Sequence, residues 1–102
     1  MSGYTSKLIK ESTLEKKVEM LKAIANPTRL QIVNILMNGE ISVTELSKQL
    51  GKKQSMTSMH LSILKSRDIV RSQRDGNSVY YSLNNNDISK IIVAIVKIIK
   101  DL

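Results

Sequence analysis

The chain has no cysteine, no phenylalanine and no tryptophan, with a single histidine and a single proline. Each absence closes a class of chemistry. Without cysteine there are no disulfides, no thiolate metal sites and no thiol redox couple. Without Phe or Trp the core must be assembled from Leu, Ile, Val and Met, and 102 residues allow one domain whose small core would gain from a partner subunit. One histidine and no clustered carboxylates leave nothing to act as nucleophile or acid–base pair, so an enzyme is the weakest reading and no cofactor is implied. Long apolar runs are missing too. The longest, Ile91–Val96, is six residues, whereas a membrane span takes ~20. The opening MSGYTSKLIKESTLEKK lacks the apolar core of a signal peptide. A soluble, cytoplasmic protein is expected.

Positive charge is abundant and unevenly placed. The net charge is +7. Between Ser47 and Arg74, Lys48, Lys52, Lys53, Lys65, Arg67, Arg71 and Arg74 stand against Asp68 alone, so this one segment holds nearly all of the excess. A basic segment of that density on a small domain is the electrostatic footprint of a nucleic-acid binder. A solvated basic surface is the plainer alternative.

The order of elements sharpens the choice. Ser12-Thr-Leu-Glu15 reads as a capping box, followed by Leu14, Val18, Leu21 and Ile24 at helical spacing, and predicts a helix over about 13–25. Residues 1–11 are expected to be disordered, leaving 12–102 as a single domain. Asn26-Pro27 restarts a helix that closes at Asn38-Gly39. Ser42-Val-Thr-Glu45 is a second capping box, opening a short helix that stops at Gly51, and a further helix is expected over 54–66. The β-rich runs 69–74 and 78–83 flank Asp75-Gly76-Asn77, a hairpin signal. Asn84-Asn-Asn-Asp87 then caps a last helix. Two short helices about three residues apart form a helix-turn-helix, and a hairpin directly after it makes a wing. The expected fold is mainly α (α+β): a winged helix-turn-helix of five helices and a two-stranded β-hairpin wing.

On a helical wheel of 54–66, Thr57, His60, Leu61 and Leu64 share one arc, the expected buried face, with His60 a packed, hydrogen-bonded residue. Ser55, Ser58, Met59, Ser62 and Ser66 lie opposite. Small hydroxylated side chains let a helix approach a major groove closely, and an apolar tip such as Met59 can meet a thymine methyl. Serines merely tolerated on an exposed face would look the same, so this face gains its meaning from the helix-turn-helix and the charge. Gln54, Ser55, Ser58, Met59 and Ser62 are therefore the expected base-facing residues of a double-stranded DNA site. Lys52, Lys53, Lys65, Arg71, Arg74 and Asn77 are expected at phosphates or an adjacent minor groove.

The last helix is apolar around more than half its circumference, which exceeds what covering one small domain requires. A homodimer using Ile91, Ile92, Ile95, Ile98 and Ile99 against Leu14, Val18 and Leu21 accounts for the surplus. A membrane-surface helix is the rival, but only Lys90, Lys97 and Lys100 would supply its charge.

Ala25-Asn-Pro-Thr-Arg-Leu-Gln-Ile32, Ile41-Ser-Val-Thr-Glu-Leu46, Gln54-Ser55, Ser58, His60-Leu61 and Val79-Tyr-Tyr-Ser-Leu83 together resemble the ArsR/SmtB winged-helix transcriptional repressors, and most closely the HlyU/BigR-type branch. The similarity covers about 14–100. It implies a homodimeric bacterial regulator, cytoplasmic and nucleoid-associated, that binds an inverted-repeat operator and blocks transcription until an inducer releases it. The sensing residues do not follow. Ser42 and Thr44 stand where metal-responsive relatives carry two cysteines, and hydroxyls are poor ligands for such metals. The last helix has no histidine for the family's other metal site, and Asn34 occupies the first cysteine position of the sulfur sensors. No metal or thiol switch is expected; a small-molecule or protein effector is unknown. Thr57, Met59 and Asp68 also depart from the family pattern, Asp68 standing where Gly is usual before the wing. An antirepressor that displaces a silencing protein from AT-rich promoters, and a winged-helix protein-interaction module, are the alternative functions.

Overall fold

The computed structural model describes residues 7–102. Five helices and three short strands follow in the order α1 (Glu11–Ile24), α2 (Pro27–Leu36), β1 (Ile41–Ser42), α3 (Val43–Leu50), α4 (Gln54–Ser66), β2 (Val70–Asp75), β3 (Ser78–Leu83) and α5 (Asp87–Lys100). This is the winged helix-turn-helix expected from the sequence, with one addition. The sheet has three antiparallel strands in the order β1-β3-β2, because Ile41 and Ser42 pair with Tyr81 and Tyr80. A two-residue strand carries no periodicity of its own and could not be read in advance.

Helix α2 is the hub, packing against α1, α3, α4, α5 and β3. Its Ile32, Val33 and Leu36 meet Leu46, Leu61, Leu64, Ile69, Val70, Ile92 and Val96 in an aliphatic core. Helix α1 joins only through its C-terminal half, where Met20, Ala23 and Ile24 are buried.

Three of the five helices start at side-chain caps. The Asn26 side chain accepts from the backbone N–H groups of Thr28 and Arg29, Ser42 Oγ accepts from Glu45 N at 3.1 Å, and Asn86 accepts from Ser89 N at 2.8 Å. The expected cap at Ser12 does not form. Helix α1 starts at Glu11 behind Lys10, which offers no side-chain cap, and Ser12 is already helical. Of the segment 1–11 expected to be disordered, Glu11 lies in α1. Lys7–Lys10 are exposed and irregular, and residues 1–6 lie outside those described.

The wing is a tight hairpin. Asp75 pairs with Ser78, leaving Gly76 and Asn77 as a two-residue turn with Gly76 at φ +64°. Asp68, just before the wing, has φ +60°, the left-handed region that glycine enters without steric cost. The Asn84 and Asn86 side-chain amides each donate to its carbonyl at 2.9 Å and pin the bend.

Candidate nucleic-acid interface

Helix α3 stops at Gly51, which takes the left-handed conformation (φ +67°), and Lys52 and Lys53 complete the turn into α4. The N-cap of α4 is Lys53, whose side chain makes no capping bond. The first N–H groups of α4 therefore take no side-chain acceptor, and Lys52 and Lys53 are exposed in the turn ahead of them, an arrangement suited to a phosphate.

The wheel of α4 divides as expected. Thr57, His60, Leu61 and Leu64 are buried, while Gln54, Ser55, Ser58, Met59, Ser62 and Lys65 are exposed, Met59 by half. Two of the buried residues are polar, and each is satisfied. Thr57 Oγ1 donates to the Lys53 carbonyl at 3.1 Å, which explains how a hydroxyl occupies an apolar position. His60 Nδ1 lies 3.0 Å from Arg29 Nη1. A guanidinium can only donate, so Nδ1 accepts and the ring is neutral with its proton on Nε2. Burial, with the nearby Arg29 and Lys52 charges adding to it, holds the His60 pKa below its ordinary value. Arg29 also donates to the Ala23 carbonyl, so one side chain braces α1, α2 and α4.

The exposed polar groups are partly pre-positioned. Gln54 Nε2 donates to Thr44 Oγ1 on α3 at 2.9 Å. Lys65 Nζ donates to Ser72 Oγ on the wing at 2.7 Å, tying the end of α4 to β2. The two wing arginines are not brought together. Residues alternate across a strand, so Arg74 shares a face with Ser72 and buried Val70, whereas Arg71 points to the opposite face and donates to Ser82 at 3.1 Å. The strand period therefore sets the two arginines, both expected at phosphates or a minor groove, on opposite faces of the wing. Arg74 and the turn residue Asn77 lie toward the tip, while Arg71 lies near the base on the far face.

The apolar surface also needs one correction. Leu14, Val18 and Leu21 on α1 and Ile91, Ile98 and Ile99 on α5 are exposed, Ile98 by 65%. Ile92, expected at a subunit interface, is fully buried in its own subunit's core and has nothing left to offer a partner. Ile95 is half-buried against the same core. The wheel showed which α5 residues are apolar but not which arc faces α2. Leu8 and Ile9, ahead of α1, add exposed apolar surface that the sequence reading did not include.

Among known proteins, the model of the family described as "Bacterial regulatory protein, arsR family" matches residues 26–72, from the cap of α2 into β2. The chain is 38% identical over 82 residues to the transcriptional activator HlyU of Vibrio cholerae, covering 80% of this chain and 76% of HlyU. It is 34% identical over 93 residues to the transcriptional repressor PagR of Bacillus anthracis, covering 90% and 93%. It is also 36% identical over 76 residues to the regulator KmtR of Mycobacterium tuberculosis, covering 74% of this chain but spanning 58% of KmtR. The HlyU structure superposes with a TM-score of 0.79 at 35% identity, covering 87% of this chain and 97% of that one. A homodimeric winged helix-turn-helix DNA-binding domain from Mycobacterium bovis superposes at 0.80 with 30% identity, covering 96% and 90%. Proteins of this family are transcriptional regulators rather than enzymes, and this chain belongs to the ArsR family of winged-helix transcriptional regulators.

Proposed function

We propose that the chain is a homodimeric repressor that binds an inverted-repeat operator in the bacterial cytoplasm, at the nucleoid. The observation that carries this reading is the outer face of α4, where exposed Ser55, Ser58, Met59 and Ser62 lie just beyond Lys52 and Lys53. A major groove admits such a helix, base edges can meet Gln54 and these four residues, and phosphates can meet Lys52, Lys53 and Lys65. Arg74 and Asn77 at the wing tip would approach the neighbouring minor groove or its backbone. Arg71 would contribute only long-range attraction from the far face. The unpartnered apolar faces of α1 and α5 would join two copies, so that two α4 helices meet half-sites about one turn apart, ~34 Å. The chain has no thiolate and no α5 histidine with which to build the family's metal and sulfur switches.

Fluorescence anisotropy on the protein's own upstream DNA and on a shuffled duplex, across roughly 0.05–0.2 M salt, tests the reading. Retention of the native duplex at the upper end, while the shuffled one dissociates, is the expected result. Equal loss of both would reject sequence-specific binding. Replacing Met59 or Ser58 should alter sequence preference, whereas Lys53→Ala should weaken every duplex alike and reduce the salt slope by about one.

A second reading has one observation in its favour: of two relatives similar over most of the chain, one is named an activator and the other a repressor. Displacement of a silencing protein from AT-rich promoters would make the chain an antirepressor. A promoter fusion separates the two, since deletion raises expression under a repressor and lowers it under an antirepressor.

A further inference from the structure

We propose that Thr44 determines specificity at the DNA interface: it holds the Gln54 carboxamide in the orientation that reads an adenine. The inference rests on the DNA-binding reading above and assigns one position of the operator to a residue that does not touch DNA. Thr44 lies in the first turn of α3 and Gln54 is the first residue of α4. The left-handed Gly51 returns the chain so that Gln54 Nε2 lies 2.9 Å from Thr44 Oγ1.

A free glutamine on an exposed helix samples many rotamers, and fixing it on a base is entropically unfavourable. With one Nε2 hydrogen engaged by Thr44, the carboxamide is already oriented. Its second Nε2 hydrogen and Oε1 remain free, a donor and an acceptor side by side. Those two groups complement the adenine edge in the major groove, where N7 accepts and the N6 amino group donates. Gln54 is also at the N-terminal end of α4, next to the phosphate-facing Lys53, where a recognition helix approaches bases most closely. Ser55, Ser58 and Ser62 make no comparable bond to α3 among the described residues, so Gln54 is the one α4 reading group that α3 orients. Thr44 occupies one of the two positions where metal-responsive relatives carry cysteines. Here both hydroxyls have other tasks, Ser42 capping α3 and Thr44 holding Gln54.

Selection from a randomised duplex pool, with the full chain and its variants, tests the proposal. The unaltered protein should enrich adenine at one position of each half-site. Gln54→Ala should remove that preference, a loss of about tenfold. Thr44→Val keeps the side-chain shape but removes the hydroxyl, and should weaken the same preference by about threefold. It should leave binding to unrelated duplex and the salt slope unchanged. Thr44→Ser should restore the preference, and Thr44→Val should have no effect when added to Gln54→Ala. An undiminished adenine preference in Thr44→Val overturns the proposal, as does an equal loss on all duplexes or an independent effect in the double variant. In those cases the DNA-binding reading stands. If the unaltered protein enriches no sequence at all, both fall together.

Discussion

His60 sits inside α4, 6% exposed, with Nδ1 accepting from an arginine that cannot release its proton. Protonating the ring would replace that bond with two facing cations. Its folded pKa lies below the unfolded value of 6.5, so the sign of the pH effect is set. Above 6.5 the ring is neutral in both states. As the pH falls through 6.5 the unfolded chain takes up its proton first, and stability declines until the folded pKa is also passed. His60→Asn keeps an acceptor near the Nδ1 position and removes the titration. Urea unfolding at pH 7.5 and 5 should show a larger loss for the unaltered protein than for this variant; equal losses would mean that His60 does not titrate on unfolding. The histidine's burial was legible from its wheel position. Its partner was not, because Arg29 is thirty-one residues away and only the packing of α2 on α4 brings the two together.

At the scale of elements, the caps show where local sequence decides and where it does not. Ser42 and Asn86 both serve as N-caps with their side chains bonded, as their patterns require. Ser12 carries the same pattern and does not cap, because α1 begins one residue before it. Asn86 has a double role, accepting from Ser89 N while donating to the strained Asp68 carbonyl. Asn86→Ala should therefore cost about 1–2 kcal/mol, and Ser12→Ala should change stability by less than about 0.5 kcal/mol. Thermal unfolding of the two variants checks the contrast, and a comparable cost for both would make Ser12 the N-cap of α1. The wing illustrates the opposite limit. Its turn and strands were readable from Asp75-Gly76-Asn77 and the flanking β-rich runs, but the third strand and the opposed directions of Arg71 and Arg74 emerged only with the register.

Across the whole molecule, α1 and α5 present apolar side chains that nothing among the described residues covers. Ile98 is 65% and Leu21 46% exposed, so charging them does not disturb the core. Ile98→Asp combined with Leu21→Glu should leave the helical content intact, yield a monomer in sedimentation equilibrium and weaken binding to a two-half-site duplex. A variant that remains dimeric would move the interface elsewhere. Ile92→Ala gives the contrast. That side chain is fully buried within its own subunit, and its truncation should destabilise the fold itself by about 2–5 kcal/mol.

The winged helix-turn-helix, the buried and exposed faces of α4, and the basic segment that α4 shares with the wing were all legible in the chain's residues alone. Those properties depend on hydrophobic period, caps, turn residues and charge, all of which act over a few neighbouring positions. Packing alone put Ile92 in the core, turned Arg71 and Arg74 apart, set Arg29 against His60 and brought Thr44 to Gln54. Each of these depends on the angle and register at which two elements pack. That geometry is set by the joint filling of one aliphatic core, and no single segment encodes it.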